Sequence, residues 1–266
     1  MMVWLNGDWK AEERALIDSR DRGFLRGEGV FETMLALGGR VFAWEEHWLR
    51  LEKGVRAFGL SLPSPAKGRE IAEELLVRNG YQDSLARVRL RVTRTPDSLL
   101  FTAEEAGLKP AVLTAWTSRY RRNEHGALAG LKALSYGENS LALAEAKSSG
   151  GDEALLANLA GHWCEGTWSN VFVVEGHTVL TPPLSSGCLP GVTRARVLAL
   201  ARRAELAVRE EERPIAFLQD SSEIFLTSSL LGVRPLGALD GRPLAVGAVT
   251  LQLGQLLAEQ ELAETS

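Results

Sequence analysis

The stretch Glu165-Gly166-Thr167-Trp168-Ser169-Asn170 leads into the apolar run Val171-Phe172-Val173-Val174. Further on, Ser186-Gly187-Cys188-Leu189-Pro190-Gly191-Val192-Thr193-Arg194 opens a helical pattern. A carboxylate ahead of a strand can hold a cationic group, and the free amide N–H groups at a helix start favour an anion. A phosphorylated aromatic cofactor carries both kinds of group, and the pair of features points to one.

Around this stretch the composition narrows the field. The chain has 266 residues, 45% of them hydrophobic, enough for one large or two modest domains with a substantial core. A net charge of −4 gives no broad positive field for nucleic acid. No apolar run approaches the roughly 20 residues that span a bilayer. The opening Met-Met-Val-Trp-Leu-Asn-Gly lacks a basic segment followed by a long apolar one, so a cytoplasmic location is expected. Cys164 and Cys188 cannot form a disulfide framework, and His47, His125, His162 and His177 show no metal-site spacing.

Along the chain, Met2 to Asn6 and Val30 to Leu37 read as strands. Trp44, Trp48, Leu51, Val55 and Phe58 then fall on one helical face, with Gly59 as a stop, and a second helix is expected from about Gly68 to Arg78. Ala86 to Thr93 alternates, placing Val88, Leu90 and Val92 on one face and Arg87, Arg89 and Arg91 on the other, each about 7 Å from the next. Val112 to Trp116 is the expected sequential partner. The polar run Ser118 to Gly126 reads as a connection, which predicts a small N-terminal α/β domain over 1–118, a link over 119–126 and a larger C-terminal domain over 127–266. In the latter, helices are expected over Asn139 to Lys147, Thr193 to Glu205 and Val246 to Leu262, and strands over Ala154 to Ala160, Trp168 to Val174 and Ser222 to Thr227.

Pyridoxal 5′-phosphate needs an amine for its aldehyde, an acid for its ring nitrogen and donors for its phosphate. Among Lys10, Lys53, Lys67, Lys109, Lys132 and Lys147, only Lys132 stands in an otherwise apolar stretch, Ala-Gly-Leu-Lys-Ala-Leu-Ser-Tyr. Partial desolvation there lowers an amine's pKa and keeps it nucleophilic; the same residue also reads as a lysine snorkelling from a strand edge. Glu165 is the candidate ring-nitrogen partner, or else a surface turn residue. The helix start at Gly191-Val192-Thr193 is the candidate phosphate site, or else a plain N-cap by Thr193. Thr227-Ser228-Ser229 can add hydroxyl and amide donors, and Arg50 can add charge.

In order, Lys132, Glu165-Gly-Thr-x-Ser-Asn170, Leu189-Pro-Gly-Val-Thr-Arg194 and Thr227-Ser-Ser strongly resemble the class IV aminotransferases, the fold-type IV pyridoxal phosphate enzymes. Asp21-Arg22-Gly23, Gly27-Glu28-Gly29-Val30-Phe31-Glu32-Thr33 and His47-Trp48-Leu49-Arg50-Leu51 look like that family's N-terminal signatures. The resemblance covers nearly the whole chain. It implies a mixed α/β fold of a small and a large lobe with the cofactor between them, in a homodimer acting on a small amino substrate. It also implies covalent attachment of the cofactor aldehyde at Lys132, a pyridinium contact from Glu165, and cofactor contacts from Arg50, Asn170, Val192, Thr193, Ser228 and Ser229.

Family members divide into branched-chain aminotransferases, D-amino acid aminotransferases and 4-amino-4-deoxychorismate lyases. Phe31-Glu32-Thr33-Met34-Leu35 departs from the Phe-Glu-Gly-Ile-Arg typical of the branched-chain enzymes. Arg87, Arg89 and Arg91 can receive a carboxylate-rich substrate, and Phe31 is a further candidate substrate contact; a solvated strand face pairing with acidic residues explains the arginines equally well. Arg94-Thr95-Pro96-Asp97 departs from the Arg-Gly pattern often found after this strand. The expectation is the lyase, releasing pyruvate and 4-aminobenzoate, with an aminotransferase as the alternative.

Overall fold

The computed structural model describes residues 1–82, 88–107 and 110–266. They form two compact units: Met1–Leu108, Leu131–Ser135 and Gln260–Ser266 make the first, and Lys109–Gly130 with Tyr136–Glu259 the second. The boundaries differ from those expected, because 113–122 pairs with strands of the second unit and 131–134 with strand residues of the first.

In the first unit the strands are β1 (Met2–Leu5), β2 (Asp8–Ala11), β3 (Val30–Leu37), β4 (Arg40–Val41), β5 (Val88–Arg94) and β6 (Leu99–Glu105). Among the described residues they form an antiparallel sheet in the order β2-β1-β6-β5-β3-β4. A short helix α1 (Arg22–Arg26) precedes β3; α2 (Trp44–Ala57) and α3 (Pro65–Arg78) follow β4. The face of β3 and β5 carrying Val30, Met34, Leu90 and Val92 packs with Trp44, Trp48 and Leu51 of α2 and Ile71, Leu75 and Leu76 of α3. Helix α3 begins earlier than its apolar period, because Ser64 accepts from the Lys67 N–H at 3.3 Å and Pro65 sits in the first turn.

One expected pairing is corrected. The neighbour of β5 is the overlooked β6, reached by a tight hairpin in which the Thr95 hydroxyl accepts from the Ser98 N–H at 2.8 Å. Residues 113–116 of the expected partner instead belong to the second sheet. Ala86 and Arg87, at the start of the expected strand, lie outside the described residues.

The second unit contains β7 (Leu113–Arg122), α4 (Gly137–Ser148), β8 (Glu153–Asn158), β9 (Trp163–Gly166), β10 (Asn170–Glu175), β11 (Thr178–Thr181), α5 (Val192–Arg203), β12 (Ala207–Glu210), α6 (Phe217–Asp220), β13 (Glu223–Ser228), β14 (Gly232–Leu239) and β15 (Arg242–Pro243); the last helix, α7, spans Ala248–Thr265. The strands form a mixed sheet in the order β12-β11-β10-β13-β14-β7-β8-β9, with β15 paired to β14. Its β14/β7 and β7/β8 neighbours run parallel. Residues 118–122, read as a polar connection, are the second half of β7. Every residue of β8 is buried, as befits a strand covered on both faces.

Gly29 fixes how the segment bearing Lys132 is laid down. The Phe31 N–H donates to the Lys132 carbonyl at 3.0 Å and the Leu134 N–H to the Gly29 carbonyl at 2.9 Å, so 132–134 runs antiparallel to the entrance of β3. Gly29 has φ +138°, and a Cβ there would strike the Arg94 carbonyl oxygen and lie 3.0 Å from Leu134 Cδ1. Gly29→Ala should therefore cost about 2–4 kcal/mol, read as a lowered urea midpoint.

Candidate functional site

In the first unit, β3 turns Phe31 and Thr33 to the face opposite the helices, where they stand across from Thr93 and Arg91 of β5. The structure brings three expected residues together there. Lys132 Nζ lies 4.3 Å from the Phe31 ring centroid, and the Arg91 guanidinium carbon lies 4.4 Å from the same centroid. An aromatic ring attracts cations through its quadrupole, which favours this arrangement. Arg89 does not join them. It faces Glu104 across the β5/β6 ladder, with an N–H···O distance of 2.8 Å, as the acid-pairing reading of this face has it. Arg87 lies outside the described residues.

Glu32 points the other way, towards α2, and has no exposed surface. Arg50 donates to it through Nε at 2.6 Å and Nη2 at 2.8 Å, and His47 Nδ1 is 2.9 Å away. Helical spacing puts His47 and Arg50 on adjacent turns over this carboxylate. Burial by itself would raise the Glu32 carboxyl; the charge and hydrogen bonds of Arg50, with the bond from His47, hold it well below the usual carboxylate range. Burial lowers the His47 value as well. An acid in the mostly apolar strand Val30–Leu37 is itself a signal for this group, because burial obliges it to find a partner.

In the second unit, Glu165 lies within β9, where a turn was the alternative, and is buried. Its Oε1 accepts from Arg122 Nε at 3.0 Å and its Oε2 from the Leu189 N–H at 2.8 Å. Asn170, at the start of β10, donates through Nδ2 to the Leu189 carbonyl at 2.9 Å. The backbone of Leu189 is thus gripped on its N–H by one end of the Glu-Gly-Thr-x-Ser-Asn motif and on its C=O by the other.

That grip delivers Pro190 and Gly191 to the start of α5. Gly191, not Thr193, is the N-cap; it has no side-chain cap, and a Cβ on it would strike Asn170 Oδ1. Val192 and Thr193 occupy the first turn and are buried. The first amides of a helix have no partner within it, and their dipole favours an anion. Directly across from Asn170 in the β10/β13 ladder is Thr227, whose Oγ1 is buried without a hydrogen-bond partner. The Ser228 Oγ accepts from the Leu231 N–H at 3.4 Å, and Ser229 follows at the end of β13, half-buried. An uncapped helix start beside an orphaned buried hydroxyl suits a phosphate, so these residues fit pyridoxal phosphate.

One further feature, Glu153, escaped the sequence reading. Glu153, fully buried at the start of β8, accepts hydrogen bonds from the Thr167 and Ser169 hydroxyls, and burial pushes its carboxyl up to about 7 against the pull of these and backbone donors. Cys164 and Cys188 are buried free thiols beside Ser186 and Pro183; burial pushes Cys188 up to about 11 and Cys164 higher still. Among the described residues no helix is long and apolar enough to cross a membrane.

Comparison with known proteins now gives the family. The model for class IV amino-transferases matches residues 29–239. A Methanocaldococcus jannaschii protein named for branched-chain-amino-acid aminotransferase activity is 31% identical, over 95% of this chain and 94% of its own. The D-alanine aminotransferase of Bacillus licheniformis is 28% identical, over 100% and 99%. The aminodeoxychorismate lyase of Bacillus subtilis is 29% identical, over 90% and 87%. The crystal structure of a branched-chain aminotransferase from Thermoproteus uzoniensis with norvaline superposes with a TM-score of 0.91 at 26% identity, covering 99% of this chain and 95% of that one. The chain belongs to the class IV aminotransferase family, whose members are pyridoxal phosphate-dependent enzymes.

The buried Glu32 group makes folding acid-sensitive. A carboxyl held low in the folded chain contributes fully above its ordinary value of 4.5 and loses that contribution as pH falls below it; His47, kept neutral by burial, adds a loss beginning below 6.5. Glu32→Gln leaves Arg50 without its counter-charge and should cost about 3–5 kcal/mol at neutral pH. It should also flatten the acid limb of stability, as urea unfolding between about pH 3 and pH 8 followed by tryptophan fluorescence will show.

Proposed function

We propose that this chain uses pyridoxal phosphate to act at the α-carbon of a small amino substrate, and that its reaction is the cleavage of 4-amino-4-deoxychorismate to pyruvate and 4-aminobenzoate. The uncapped start of α5, held by Glu165 and Asn170 through Leu189 beside the orphaned Thr227 hydroxyl, supports the cofactor assignment. Arg91 beside Phe31 and Lys132 supports an anionic substrate.

Each residue has a definite task in this reading. Lys132 would hold the cofactor through its amine and, when free, would take the α-proton onto Nζ. Glu165 would be the acid partner of the ring nitrogen. The amides of Val192 and Thr193, the hydroxyls of Ser228 and Ser229 and the charge of Arg50 hold the phosphate, while Asn170 keeps the helix start in register. When bound, the cofactor supplies an electron sink for the pair left at the α-carbon. Phe31 packs against the reacting centre and excludes water, and Arg91 orients a substrate carboxylate. Amino transfer to a 2-oxo acid is the second reading. It is favoured by the ion pair of Arg89 with Glu104, which removes one cation from the face that would receive a carboxylate-rich substrate.

Incubation with aminodeoxychorismate, assayed for pyruvate and 4-aminobenzoate, beside L- and D-amino acids with 2-oxoglutarate, decides between the two. Pyruvate release is the expected result; amino transfer without it overturns the lyase assignment. Lys132→Ala should lower turnover by at least about 10²- to 10⁴-fold while some cofactor still binds. Glu165→Gln should lower kcat by roughly 10²-fold through a weaker electron sink, and an unchanged rate removes Glu165 from that task.

A further inference from the structure

No task above uses Glu153. We propose that Glu153 is the positioning residue for Glu165 and Asn170, acting through the turn that joins them; this rests on the proposed assignment of those two residues to the cofactor.

Glu153 Oε1 accepts from the Ala154 N–H at 2.9 Å, from the Thr167 N–H at 3.0 Å and from the Thr167 hydroxyl. Its Oε2 accepts from the Ser169 hydroxyl at 2.7 Å and from the Trp168 N–H at 3.3 Å. Gly166 completes the shell, because a Cβ there would strike Ser169 Oγ and come within 2.7 Å of Glu153 Oε2. Residues 166–169 are therefore moulded on one carboxylate. Glu165 immediately precedes this turn and Asn170 immediately follows it. A buried carboxylate without donors is strongly unfavourable, so keeping Glu153 dry obliges Thr167, Trp168 and Ser169 to hold one arrangement. That arrangement sets the spacing at which Glu165 and Asn170 reach the N–H and C=O of Leu189, and so the placement of the α5 amides. The middle of the motif serves Glu153, and its two ends serve Leu189.

Substitution separates this from a merely structural role. Above about pH 7, where Glu153 is ionised, its carboxylate only accepts, whereas the amide of Gln must turn its NH2 towards the Trp168 N–H or the Thr167 N–H, neither of which can accept. In the full chain loaded with pyridoxal phosphate, Glu153→Gln should bind the cofactor stoichiometrically yet lose about tenfold or more in kcat, with KM changed far less. Its cofactor absorption band should move as it does in Glu165→Gln, and the two substitutions together should cost less than the product of their separate effects. In the cofactor-free chain, amide hydrogen exchange at Leu189, whose N–H is bonded to Glu165, should quicken by about tenfold or more. A folded Glu153→Gln with wild-type kcat and wild-type exchange at Leu189 overturns the proposal, as does full multiplicativity with Glu165→Gln. Should Glu153→Gln fail to fold, Ser169→Ala, which removes one donor and keeps the carboxylate, must show the same changes in smaller degree, and wild-type behaviour there overturns the proposal. If Glu165→Gln alone leaves rate and spectrum unchanged, the cofactor assignment of Glu165 fails, while exchange at Leu189 still decides whether Glu153 orders the turn.

Discussion

A carboxylate can be kept from water only if donors meet its lone pairs, and both units of this chain are organised by that requirement. Glu32 collects Arg50 and His47, Glu165 collects Arg122 and the Leu189 amide, and Glu153 collects the turn between β9 and β10. Each carboxylate fixes the direction of a group: a guanidinium, a helix start, and the two residues flanking a turn. The hydrophobic clusters hold sheets against helices, but they do not by themselves aim a side chain. Aim comes from the hydrogen bonds that burial makes compulsory.

Much of the scaffold was legible because its periods are strong. The strand Val30–Leu37 and the helix from Trp44 follow directly from alternation and from apolar steps of three and four. The Lys132 segment stood out because it is apolar around one charge, and the motif from Glu165 to Asn170 stood out by its small residues. What escaped was polar sequence doing structural work. The second half of β7 looked like a connection because Ser118, Arg119, Arg121 and Arg122 are polar, yet Arg122 reaches inward to Glu165. Strand β6 was passed over in favour of Val112 to Trp116, whereas Thr95 and Ser98 close a hairpin around Pro96 and Asp97 that makes β6 the partner of β5. Glu153 was unreadable for the same reason: an acid in a strand looks like a solvent-facing residue until its donors, distant in sequence, are in place.

Overall similarity does not choose among the reactions of this family. Relatives named for branched-chain amino transfer, D-alanine amino transfer and aminodeoxychorismate cleavage stand at 31%, 28% and 29% identity. Proton removal from the α-carbon is common to all three chemistries, and the residues proposed for it cannot distinguish them. Discrimination has to come from what meets the rest of the substrate, and in the proposed assignment the face of the first sheet given that task is Phe31, Thr33 and Arg91. With Arg89 engaged by Glu104, it presents less positive charge than its composition suggests.

The two thiols have a practical consequence. Cys164 and Cys188 are sealed inside the second unit, and burial disfavours their thiolate forms, the forms that react with alkylating reagents. An electrophile added to the native enzyme must therefore wait for the surrounding sheet to part. The pace of labelling becomes a clock for those rare openings, built into the natural sequence and readable by mass spectrometry without any engineered probe.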